Sequence, residues 1–269
     1  MLDMKNEKVL LYGERPRSTY VQSANVFFHC MKKYVYLEEI IMNQAVYPRY
    51  NIEDLSYLQL DGYDKIAIPM VCFCDIHFTK LKYHMKQYGK YGIGLEKNNE
   101  IENGLTPIYY VNENSSIFND YREAVQMCFS SSDGKMYEPI SDFVIHQLMY
   151  TKPLYGTMWS EGKMVNKNFH DEKEWRYVPD MRHTDLPPII IEKKLLSDDN
   201  LELYNDSIRH YIYGKMNIEF NDIKYLLIPN EDDRDRMIKT IMGIKDKEES
   251  EKYRLISKII TYDELEDDL

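Results

Sequence analysis

No stretch of this 269-residue chain stays apolar long enough to form a membrane-spanning helix: uninterrupted apolar runs, such as those at residues 189–191 and 226–228, are a handful of residues and fall far short of the roughly 20 required. The first eight residues mix both charge signs and lack the apolar core of a secretory leader, so a soluble, cytoplasmic protein is expected. Cysteine is scarce as well. Cys30, Cys72, Cys74 and Cys128 are too few and too irregularly spaced for a disulfide framework and read as reduced thiols.

Positive charge is the third deficit. Against 45 Asp and Glu stand only 34 Lys and Arg, a formal net charge of −11, and the acids crowd towards the C-terminus in Glu231-Asp-Asp, Asp246-Lys-Glu-Glu and residues 264–268. Such a surface repels a phosphate backbone, so nucleic acid is not the expected partner, whereas a basic protein face is compatible with it. Several catalytic signatures are also missing. There is no Walker A sequence, no Gly-x-Ser-x-Gly elbow and no His-Glu-x-x-His helix. Gly89-x-x-Gly92-x-Gly94 reverses the order of the dinucleotide fingerprint and follows a helix, so it reads as turn and packing glycines.

What the chain has in abundance is tyrosine, 24 residues against two tryptophans, which favours strands and stacked surfaces. Residues 1–22 carry no period and are expected to be a peripheral lead-in, with residues 23–269 forming one compact α+β domain in which helices flank an antiparallel-rich sheet. Apolar spacing predicts strands at 26–30, 70–74, 91–95, 107–111, 173–178, 189–191, 223–228 and 253–260. Helices are expected at 36–43, 80–88, twice within 117–150 with a loop at 130–134 between them, at 197–213 and at 231–242. Thr79 is the expected cap of the second helix and Gly89 its positive-φ stop, while Gly243 stops the 231–242 helix. Thr261-Tyr-Asp-Glu is a capping box for a short last helix. Residues 50–64 read as a polar connection turning at Gly62, and 245–251 as a charged loop.

Two constellations could carry chemistry. Cys72-x-Cys74-x-x-His77, with His84 and Cys30, supplies soft zinc ligands, but one intervening residue on a strand is not a zinc knuckle and no second cysteine pair completes a tetrahedron. These thiols read as small buried hydrophobes, and no metal is expected. The other constellation joins His29 at the end of the first strand, Cys72 and Phe73 on the second, Tyr88 or Tyr91, and the paired acids Glu172 and Glu174 on a late strand. Cleaving a glycosidic bond to nicotinamide needs a donor for the ribose hydroxyls, an aromatic against the departing ring and a carboxylate beside the oxocarbenium-like centre. His29, Tyr88 or Tyr91, and Glu174 meet those demands. Spacing alone favours the plainer reading, a hydrogen-bonded core histidine and a solvated strand face on which Glu172, Glu174 and Arg176 form an internal ion pair.

The string Pro69-Met-Val-Cys-Phe-Cys-Asp-Ile, then His84, then Tyr88-Gly-Lys-Tyr-Gly-Ile-Gly-Leu, resembles the AbiGi-type abortive-infection proteins of bacteria. Phe28-His29 before Leu-x-x-Ile-Ile, Pro48-Arg-Tyr, Glu172-Lys-Glu-Trp-Arg-Tyr-Val-Pro and Leu255-Ile-Ser-Lys-Ile-Ile-Thr-Tyr-Asp-Glu-Leu resemble that family in the same order, from about residue 25 to the C-terminus. The resemblance implies an antitoxin that binds a cognate toxin, one similar to nucleotidyltransferases, and that uses no cofactor. A more distant likeness to ADP-ribosyltransferases implies instead an NAD-consuming enzyme, with a first-strand His and a late-strand Glu-x-Glu. This chain departs from that pattern. Enzymes with the histidine usually carry a single late-strand acid, and Cys74-Asp75 stands where a Ser-Thr-Ser triplet is expected.

Overall fold

The computed structural model describes residues 23–268 apart from 131–137, 161, 183, 212 and 213. The expected lead-in at residues 1–22 and most of the expected 130–134 loop lie outside the described residues.

The ten-residue strand Lys65–Cys74 is buried at nearly every position, the mark of a strand covered on both faces. Ile66 and Ile68 join Leu58, Val111, Phe118 and Leu148 in a cluster built largely by the helices Ser116–Ser130 and Glu138–Met149. Ala67, between them, joins Tyr50 and Ile208 in another, beneath helix Asp198–Arg209. The strand is long enough to serve two sets of neighbours. Its first part pairs with Arg49–Asp54 and its last four residues with Glu174–Tyr177. At its end it meets Val26–Met31 through Phe28 opposite Cys74.

Val26–Met31 continues along Tyr91–Glu96, which pairs with Ile223–Ile228, and that strand with Ile259–Thr261. Thr106–Pro107 closes the other edge against Glu174–Tyr177. The result is an eight-stranded sheet, antiparallel at every pairing but Ile223–Ile228 with Ile259–Thr261. Tyr34–Asn43, Glu231–Met242 and Glu249–Ile256 bury Leu37, Ile41, Met237, Ile241 and Leu255 on the face that carries Phe27, Phe73 and Ile93. Leu81–Tyr88 and Tyr262–Asp268 bury Leu81, Met85, Tyr262 and Leu265 on the face that carries Phe28 and Cys74. This is the mixed α+β, antiparallel-rich architecture expected. No helix among the described residues is long and apolar enough to cross a membrane.

Several segments depart from expectation. The 50–64 connection contains the strand Arg49–Asp54. The 253–260 strand is mostly the helix Glu249–Ile256, held by a capping box between Glu248 and Glu251, with only Ile259–Thr261 extended. Residues 189–191 contribute a single bridge, Ile190 to Ala67. The Leu81–Tyr88 helix follows a 3-10 turn, Phe78–Lys80, and has no side-chain cap, so Thr79 does not play the expected part. Gly89 does sit at positive φ, +124°, and a Cβ there would fall 2.1 Å from the Met31 carbonyl oxygen. Only glycine lets the helix end pass so close to the first strand.

Candidate functional site

The site forms where strands part along Lys65–Cys74. Arg49 takes the rung at Met70 and Phe28 the rung at Cys74, and in the interval His29 Nδ1 donates a hydrogen bond to the Cys72 carbonyl oxygen at 2.8 Å. A carbonyl can only accept, so this contact fixes the proton on Nδ1. Removal of the ring from water lowers the His29 pKa, outweighing the raising effect of the Cys72 bond. His29 is therefore neutral near pH 7 and presents Nε2 as an acceptor. The donor expected from the sequence is spent on the backbone, and a ligand hydroxyl would have to donate to this ring.

His29, Cys72, Phe73, Tyr88, Glu172 and Glu174 all line one cavity of about 320 Å³. His84 and Tyr88, one helical turn apart, stack at 4.4 Å between centroids on its wall. Burial lowers the His84 pKa to about 4 against the opposing charge of Glu172. The Tyr88 hydroxyl donates to Glu172 Oε1, and burial followed by the Glu172 charge raises its pKa. Tyr91 is not brought to the cavity. Its hydroxyl donates to Asp233 Oδ2 at 3.1 Å and its ring packs on Tyr34.

The acids stand in a charge-balanced network. Glu174 and Arg176 alternate onto the same side of their strand, and Arg176 Nε donates to Glu174 Oε1 at 2.7 Å. Lys152 Nζ donates to Glu174 Oε2 at 2.7 Å and lies 3.6 Å from Glu172 Oε2, while Lys167 Nζ lies 3.2 Å from Glu172 Oε1. Arg176 Nη1 donates to the Met149 carbonyl at 2.5 Å. Its Nη2 is 3.1 Å from Glu53 Oε2, within ion-pair range although not aligned as a hydrogen bond. Burial alone would lift the Glu174 pKa, but Arg176 and then Lys152 outweigh it and hold the carboxyl well below its usual range. Burial likewise opposes the Lys152 ammonium, and Glu174 and Glu53 overcome it and raise its pKa.

Glu172, Glu174 and Arg176 are 4, 5 and 0% exposed, which overturns the reading of a solvated strand face while keeping its ion pair. Burial pushes the Cys30 thiol up to about 12 and those of Cys72 and Cys74 well above their usual value, so all three stay protonated. Among the described residues no three His, Cys, Asp or Glu side chains stand where they could hold a metal ion.

A family model described as "Putative abortive phage resistance protein AbiGi, antitoxin" matches residues 44–229. The chain belongs to the AbiGi family. Over 248 residues it is 34% identical to the abortive phage resistance protein AbiGi of Lactococcus lactis subsp. cremoris, a match that covers 83% of this chain and 99% of that relative. No solved structure matches, so the ADP-ribosyltransferase likeness gains no support from known folds. The segment matched by the AbiGi model holds Glu53, His84, Tyr88, Lys152, Glu172, Glu174 and Arg176, and His29 precedes it.

Sequence reasoning named Arg176 but missed the two lysines of this AbiGi site. Lys152 lies on the short strand Thr151–Pro153, and Lys167 on a hairpin, Tyr155–Ser160 with Lys163–Asn168, in a stretch where no element was expected. Arg49, Asn51 and Glu53 line the cavity from a strand read as a loop. The one available signal was the i, i+2 spacing of those three polar residues, which puts them on one face of a strand.

Proposed function

We propose that, within its family's role in bacterial abortive phage resistance, this protein is the antitoxin-type partner of a toxin and acts by binding it. The observation that carries this reading is the family description itself, which names an antitoxin. Two features agree with it. The chain's formal charge of −11 suits a basic partner face. The carboxylates of Glu53, Glu172 and Glu174 each have a cationic partner, an arrangement that holds a fold together without any reaction. The toxin implied by the sequence resemblance is similar to nucleotidyltransferases. Co-expression with the product of the adjacent gene is expected to give a complex that co-purifies at low salt and weakens as salt rises. Absence of any complex at low salt would remove the binding reading.

One observation favours a second reading, an NAD-consuming transferase: His29 and Glu174, 145 positions apart in sequence, line the same cavity. In that reaction the bond from the ribose anomeric carbon to nicotinamide breaks and nicotinamide leaves with the electron pair. The acceptor's nucleophile then bonds to that carbon and releases its proton. Neutral His29 would accept from a ribose hydroxyl, Tyr88 would lie against the departing ring, and ionised Glu174 would stabilise the cationic centre. Glu174→Gln is expected to lower NAD turnover by at least about 100-fold per folded molecule, the size typical of a lost electrostatic contact to a transition state. The folded fraction is followed by circular dichroism, because this substitution also loosens the Arg176 clamp. Unchanged turnover per folded molecule would eliminate the enzymatic reading.

A further inference from the structure

Tyr88 stands where three hollows meet. The central one contains His29 and Glu174. A second, of about 290 Å³, shares His29, Tyr47, Arg49 and Tyr88 with it and extends to Lys32, Tyr36 and Arg209. A third, of about 530 Å³, shares Glu53, Tyr88 and Lys152 and extends to Asp54 and Glu113. The hollows adjoin through these shared residues and have unlike linings. The second hollow gathers Lys32, Arg49 and Arg209 against a single carboxylate, Glu39, in a chain that is otherwise strongly acidic.

Those cations are loosely engaged. Arg49 lies 3.8 Å from Glu202, and both side chains reach water. Arg209 contacts Glu39 at 3.2 Å through Nη2, while its buried Nε has no hydrogen-bond partner. Lys32 makes no ion pair among the described residues. Clustered like charges repel one another unless an anion joins them, and arginine forks match phosphate oxygens. Tyr36 backs the Arg49 guanidinium at 5.7 Å, and Tyr47 and Tyr88 line the same hollow as the cations and His29.

We propose that the central and second hollows together are a binding site for a phosphate-bearing ligand of nucleotide size, with its phosphate at Lys32, Arg49 and Arg209 and its hydroxyl-bearing end at His29 and Tyr88. The proposal rests on the second reading above for the central hollow being a ligand site, and it names the charge and direction of that ligand without requiring any bond to break. The two hollows it uses fall together within the range of roughly 300–1,000 Å³ that small-molecule sites occupy.

The test uses the full chain with ADP-ribose, NAD, adenosine and inorganic phosphate as probes, followed by calorimetry and thermal shift. ADP-ribose is expected to bind at least about 10-fold more tightly than adenosine, and more weakly as salt rises. Arg49→Ala and Lys32→Ala should each weaken ADP-ribose by about 10-fold while leaving the unliganded melting temperature nearly unchanged, since both side chains reach solvent, and Arg49→Lys should recover part of the loss. Failure of both ADP-ribose and NAD to bind at millimolar concentration overturns the proposal. So does ADP-ribose affinity that is indifferent to Arg49 and Lys32, and so does inorganic phosphate binding as tightly as ADP-ribose. The transferase reading fails separately: NAD that binds through Arg49 but is never turned over removes the reaction and keeps the site. Turnover with an unmoved KM in Arg49→Ala keeps the reaction and removes the phosphate seat.

Discussion

Arg176→Met is expected to cost about 3–5 kcal/mol of folding stability, enough to remove much of the stability of an ordinary domain. The guanidinium is fully buried and sits between Glu174, Glu53 and the Met149 carbonyl. Methionine fills similar space but leaves Glu174 with Lys152 as its one ion-pair partner among the described residues and removes the ion pair of Glu53. The cost thus comes mainly from carboxylates left unpaired away from water, and only secondarily from the lost attraction. A double variant, Arg176→Met with Glu174→Leu, should recover part of the loss, because removing both partners deletes the stranded charge. Urea denaturation of the two single variants and the double variant gives the coupling directly. A single-variant loss below about 1 kcal/mol would mean that the clamp contributes no more than an exposed ion pair.

That clamp also shows which parts of the fold could be read from sequence. The alternation of Glu174, Trp175, Arg176 and Tyr177 was legible because strand periodicity is local, and it placed acid and base on one side correctly. Helix Glu231–Met242 was legible for the same reason: three acids open it and a glycine follows it. The Thr261 capping box forms as written, with Thr261 Oγ1 accepting from the Glu264 backbone and Glu264 Oε2 accepting from the Thr261 backbone. Local pattern misled where two periods fit the same apolar residues. Tyr253, Leu255, Ile256, Ile259 and Ile260 suit a strand as well as a helix, and the Glu248–Glu251 capping box decides for the helix.

The Arg49–Asp54 strand was hidden for a more instructive reason. Its alternate residues Arg49, Asn51 and Glu53 face the cavity, so the polarity that a site needs erased the apolar pattern that marks a strand. Burial was equally invisible. Nothing between residues 172 and 176 says that the face is covered, because Lys152 and Lys167 come from a distant strand and hairpin that only the tertiary fold delivers. His29 and Glu174 were named as partners on chemical grounds, but their shared cavity depends on strands that pair through Cys74 and then separate.

Glu100→Gln is expected to stabilise the protein, and to do so increasingly as pH rises. Glu100 is fully buried in the short helix Lys97–Glu102; Asn103 reaches its Oε2 only at 3.5 Å, and its Oε1 has no partner. Burial, opposed by the Asn103 bond and aided by the Asp222 charge, raises its pKa from 4.5 to about 7. Between those two values the folded state holds a proton that the unfolded state has released, so stability falls as pH rises from about 4.5 to about 7 and stays low above that. His84 works in the opposite direction. Its folded pKa of about 4 lies below the usual 6.5, so between those values the unfolded state binds more protons and stability rises with pH. The two effects largely cancel in the parent protein, and only the difference between variant and parent isolates Glu100. Glutamine cannot ionise, so its advantage should be roughly 2–3 kcal/mol larger at pH 8 than at pH 5, less whatever its buried amide loses in unmade hydrogen bonds. Urea unfolding of both proteins at the two pH values measures that difference, and an advantage that does not change with pH would show that Glu100 is already ionised in the folded protein at pH 5.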